Sequence, residues 1–159
     1  MDKLTNKQPE ADLYDTDFFK WTQAQAAVVQ QGRWSDIDAK NLAEEIECVG
    51  GALKSDISNR LANLLAHLLK WEFLPQQRIY CWKARIMEER IFIDGLIEDS
   101  PSLKRGPADA LARSYRLGRV RAALETDVHE NMFPVKCPYS LADVRNYRFY
   151  SGAREPWID

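Results

Sequence analysis

Apolar residues recur along this chain at spacings of three and four, the pattern of helices that turn one face to a core. The clearest run is "ALKSDISNRLANLLAHLLKWEF", where Ile57, Leu61, Leu64, Leu68 and Trp71 fall on one stripe that Leu65 and Leu69 widen. Pro75 stops it, because proline has no amide hydrogen to give and its ring clashes with the preceding turn. After a short turn, "QRIYCWKARIMEERIFIDGLIEDS" carries a second stripe through Ile79, Trp82, Ile86, Ile93 and Ile97. Two long helices so closely linked predict an antiparallel pair.

The flanking segments are helical too. "DTDFFKWTQAQAAVVQQG" places Phe18, Trp21, Gln25 and Val28 on one face, with Asp15 or Thr16 to cap it and Gly32 to end it. "SDIDAKNLAEEIECVGG" predicts a helix with Leu42, Ile46 and Val49 turned inward, broken from the next by Gly50-Gly51, since glycine is unfavourable in a helix interior by about 1 kcal/mol. "PADALARSYRLGRVRAALET" holds one stripe through Ala108, Leu111 and Tyr115 and another through Leu117, Val120 and Leu124, which predicts a bend or break near Gly118. Ser140 and Asp143 form a capping box for a short last helix. No segment alternates long enough to be a strand. The class is therefore all-α: a compact bundle of five to seven helices, the two longest antiparallel, with a leader over 1–12, one helical domain over 13–150 and a tail over 151–159.

Composition narrows the setting. A chain of 159 residues is long enough to bury roughly 70% of its unfolded surface without a disulfide or metal. The formal charge of -2 argues against a uniformly basic or acidic chain. Cys48, Cys81 and Cys137 are odd in number and form no CxxC pair, which fits reduced thiols. With no apolar run of membrane-spanning length and no signal-like start, the expectation is a soluble cytoplasmic protein. Neither histidine has a glutamate three residues before it, and no GxSxG, P-loop, GxGxxG or HExxH occurs. No metal or other cofactor is expected.

The candidate chemistry lies on the edges of the stripes. His67 projects about 40° from both Asn63 and Trp71, at the border of the apolar face, with Arg60 one heptad before it. On the preceding predicted helix Asn41 and Glu45 flank the Leu42/Ile46/Val49 stripe. If those two helices pack, Glu45 meets His67, and an acid beside an imidazole orients its tautomer and raises its pKa. Asn41, Glu45, His67, Trp71 and Trp82 are thus the candidate binding residues, lining a polar groove for a small ligand or a partner segment. A rival reading makes Glu45 and His67 an acid/base pair of an enzyme. Glu89 projects into the apolar face of its helix, one turn after Arg85, and predicts an i,i+4 ion pair.

Charge is uneven along the chain. Residues 1–76 carry 8 basic and 12 acidic groups, residues 77–159 carry 14 and 12. Between 104 and 121, Lys104, Arg105, Arg113, Arg116, Arg119 and Arg121 meet only Asp109. This segment is the basis for a third reading, a nucleic-acid or acidic-partner binder. The arginines are spread around the helix, so a solvated face is the plainer expectation and nucleic acid is not the expected partner. Exposed Trp34 or Trp157 would offer a homo-dimer contact.

Taken in order, "YDTDFFKWT", "NLAEEIECVG", "LLAHLLKWEFLP", "CWKARIMEERI", "DSPSL" and "FPVKCPYSLADV" resemble the bacterial family catalogued as domain of unknown function 29, from about Tyr14 to Val144. The resemblance implies a small helical protein without an assigned activity. The family's pattern coincides here with Asp17, Trp21, Asn41, Glu45, His67, Trp71, Trp82 and Arg90, and departs from it at Glu89, where glutamine is usual.

Overall fold

A computed structural model describes residues 11–150; the proposed leader up to residue 10, the tail over 151–159 and Trp157 lie outside them. The described chain is all helix and turn, with six α-helices and no strand: α1 (Ala11–Thr16), α2 (Phe18–Gln30), α3 (Ala39–Phe73), α4 (Tyr80–Asp99), α5 (Gly106–Thr126) and α6 (Leu141–Arg145). Backbone contacts group the residues into two units, 1–51 and 52–159.

In the first unit Asp17, not Asp15 or Thr16, caps α2: its carboxylate accepts from Lys20 N at 3.1 Å. Trp21, Gln25 and Val28 are buried as the periodicity requires, while Phe18 is exposed. The start of α3 is tied to α2 through Asp38. Its carboxylate accepts from Trp21 Nε1 at 3.2 Å and from Asn41 Nδ2 at 2.7 Å, and its own amide donates to Gln25 Oε1 at 2.9 Å.

The Gly50-Gly51 break does not occur. α3 runs unbroken through both glycines, so the second and third predicted helices are one. The Leu42/Ile46/Val49 stripe is not core either, since Ile46 and Val49 are 65% and 66% exposed.

The second unit is built on three helices. α4 runs antiparallel to the C-terminal part of α3: Asn63 meets Glu89, and Lys70 meets Trp82. α5 then runs parallel to α3, with Ser114 bonded to Ser58 O at 2.9 Å and Lys70 paired with Glu125 further along. Leu61, Leu64, Leu65, Leu68 and Leu69 fill the space between them with Ile86, Ile93 and Tyr115. Burying each such side chain contributes about 1.5–3 kcal/mol.

α5 is also continuous through Gly118, without a break there. The residues it buries are Pro107, Ser114, Tyr115, Gly118, Arg119, Ala122 and Ala123, while Leu124 of the second predicted stripe is 78% exposed. Gly118 is where the two backbones meet: a Cβ there would stand 2.9 Å from Ala62 O, 3.2 Å from Leu65 Cβ and 3.3 Å from Ala66 N.

The segment after α5 folds back over this core. Tyr115 donates to Pro134 O at 2.6 Å and Tyr139 to Glu72 at 2.7 Å. Arg90 is buried on the inner face of α4 and donates to Val144 O at 2.8 Å and Phe149 O at 2.7 Å. The Ser140–Asp143 capping box forms as the sequence predicts.

Two glycine substitutions should separate these roles. Gly118→Ala presses a methyl against fixed backbone and is expected to lower stability by about 1–3 kcal/mol. Gly51→Ala meets nothing within 4 Å in a helix interior and should raise it by about 0.5–1 kcal/mol. Chemical denaturation of the two variants beside the parent chain measures both.

Candidate functional site

One face of α3 in the second unit is polar along its length. Asp56, Asn59, Arg60, Asn63, His67 and Lys70 follow the helical repeat, and α4 and α5 supply partners on either side. At one end Glu89 of α4 accepts from Asn63 Nδ2 at 3.0 Å and from Arg60 at 3.5 Å. Arg60 also pairs with Asp56 at 3.1 Å and lies 4.0 Å over the Phe92 ring. From α5, Arg121 donates to Asn63 Oδ1 at 2.7 Å and to Asn59 O at 3.1 Å. At the other end buried Lys70 pairs with Glu125 and sits 5.0 Å over the Trp82 ring.

His67 stands between these ends, half-buried. Its Nδ1 lies 2.8 Å from Asn63 O. A carbonyl only accepts, so Nδ1 carries the proton and Nε2 is left as an acceptor. No described residue hydrogen-bonds to Nε2. Burial holds the imidazole below the usual histidine range; the bond to Asn63 O opposes this, Lys70 and Arg85 reinforce it, and Glu125 opposes it. The expected acid-driven rise is therefore reversed, because desolvation outweighs the nearby carboxylate.

The sequence-predicted residues divide between the two units. His67 and Trp82 belong to the seam, Trp82 through Lys70. Trp71, one turn after His67, takes Arg78 over its ring at 4.9 Å and lies 6.2 Å from Tyr150. Asn41 is engaged with Asp38. Glu45 accepts from Tyr14 at 2.6 Å, a bond that pushes the Tyr14 phenol up to about 12. Glu45 and His67 are carried by one helix, far beyond the three- or four-residue spacing at which side chains of a helix meet. The two helices that were expected to pack are a single element, α3.

The acids that do border His67's seam are Glu89 and Glu125. Glu89 was visible in the sequence as a charge inside an apolar face, but its partner was misassigned: Arg85 binds Glu88 at 2.5 Å, and Glu89 turns to α3. Glu125 left no signal, because its partner Lys70 is 55 positions away. Of the basic segment, Arg121 is committed to the seam and Arg119 to Glu130 at 3.0 Å, while Arg113 and Arg116 are exposed.

Two expectations follow. Because the folded-state pKa of His67 is depressed below 6.5, the unfolded chain takes up a proton first as pH falls. Stability should drop between 6.5 and that lowered value, His67→Gln should flatten the drop, and the His67 ring resonances should titrate below 6.5. Glu89→Ala strands Asn63 Nδ2 and part of the Arg60 charge and should lower stability by about 1–3 kcal/mol; Glu89→Gln, which keeps an acceptor for Asn63, should lose less in the same denaturation experiment.

No helix among the described residues is long and apolar enough to cross a membrane. No curated protein matches the chain, and no solved structure does. The model of one family, Domain of unknown function DUF29, matches residues 13–150. That match takes in both units, and the chain belongs to this family.

Proposed function

We propose that this protein is a binding module whose ligand site is the polar seam of the second unit, centred on His67. The observation that supports this reading is the half-buried neutral imidazole, held in one tautomer by Asn63 O, with Nε2 offered as an acceptor. The side chains around it are already committed to one another: Asn63 to Arg121 and Glu89, Lys70 to Glu125. Such a frame is preorganised, so a ligand meets little further ordering cost. The matching ligand group is a neutral N–H or O–H donor, an amide or hydroxyl on a small molecule or a backbone amide of a partner segment. The acid/base alternative draws no comparable support, since it rests on Glu45, whose oxygen serves Tyr14.

An NMR screen of small amides, alcohols and short neutral peptides tests the proposal. Binders should move the His67 Nε2 resonance, weaken at least about tenfold on acidification through the His67 titration, as expected when one hydrogen bond to the site is lost, and lose binding in His67→Phe. Binders that leave the His67 ring unmoved and tolerate His67→Phe would overturn it.

A further inference from the structure

α4 has a second face. Its inner side holds Trp82, Ile86, Glu89, Arg90 and Ile93. Its outer side carries Tyr80, Ala84, Met87 and Ile91 at successive spacings of four, three and four, the repeat of a coiled-coil seam. Most of this stripe is open to solvent: Tyr80 is 84% and Ile91 56% exposed, Ala84 is exposed and Met87 half-buried. It forms the floor of an open groove of about 470 Å³, with Lys83 on one flank, Glu88 on the other and Tyr150 as a side wall. Lys83 Nζ lies 5.1 Å over the Tyr150 ring, which holds the ammonium at the rim.

The flanking charges specify an occupant. With the apolar stripe as the a and d positions, Lys83 takes a g position and Glu88, which also pairs with Arg85 of its own helix, the e position five residues on. In two parallel helices a g residue of one lies beside that next e residue of the other, so Lys83 of each copy meets Glu88 of its partner. An antiparallel pairing sets g beside g and e beside e, bringing like charges together. We infer that the outer face of α4 is a self-association surface, on which a second copy of this chain docks parallel, α4 against α4, with two reciprocal Lys83–Glu88 ion pairs. The His67 seam lies toward the inner side of the helix and meets this groove only at Phe92, whose ring lies under Arg60. Four apolar residues over three turns make a small interface, so the dimer is weak and reversible.

Sedimentation velocity of the full chain over a concentration series tests the inference. The parent chain should pass from monomer to dimer, and Met87→Asp should abolish the transition with its helical circular dichroism unchanged. Lys83→Glu and Glu88→Lys each turn two attractive pairs into repulsive ones and should weaken association about tenfold. Their equimolar mixture restores both pairs as a heterodimer and should associate as the parent does. A parent chain that stays monomeric throughout overturns the inference. So does a mixture no better than the single variants, which is the signature of unrelated contacts, and so do single variants no weaker than the parent with a mixture tighter than the parent, which is the signature of antiparallel pairing.

Discussion

The second unit depends on how closely α5 can approach α3, and Gly118 sets that distance. With no Cβ, it lets the α5 backbone lie against Ala62 O and Ala66 N. Everything further along α5 inherits its position from this crossing. Arg121 follows by less than one turn and reaches Asn59 and Asn63; Glu125 follows one turn later and reaches Lys70. Moving the helices apart by the width of a methyl would stretch each of these bonds.

Those bonds matter because the groups they join are costly to bury singly. Lys70 is almost wholly buried, and an unpaired ammonium there would lose its hydration without return. Pairing with Glu125 and contact with the Trp82 ring compensate it from two helices at once. Glu89 does the same for Asn63 and Arg60. The seam therefore acts less as a source of net stability than as a device that fixes one relative placement of three helices, while His67 is oriented by Asn63 O of its own helix.

Much of this was legible in the periodicity. Trp21 and Val28, the leucines from Leu61 to Leu69, and Trp82, Ile86 and Ile93 are buried where the stripes place them. A stripe reports that a helix has two faces, not which neighbour covers one of them, so Ile46 and Val49 looked like core and are exposed. Glycine misled at two places: at Gly50-Gly51 its conformational cost suggested a break, and at Gly118 two differently directed stripes suggested a bend or break. At Gly50 and Gly51 the surrounding helix absorbs that cost, and at Gly118 the missing Cβ is the function. The polar border of His67 was readable from its angle to Asn63 and Arg60. Its acidic neighbours come from α4 and α5, and no local spacing encodes contacts of that range.

Arg90 has a different consequence. It donates to the main-chain oxygens of Val144 and Phe149 and lies 5.6 Å over the Tyr150 ring, so it grips a path of backbone and one aromatic face. The two hydrogen bonds themselves depend on the course of the chain from Val144 to Phe149 and not on the side chains it carries there. The guanidinium has no such latitude: lysine offers a single point of attachment where a planar fork is needed. For these two hydrogen bonds the demand is thus one-sided: the segment that is held need only keep its path, whereas the residue that holds it must supply the fork.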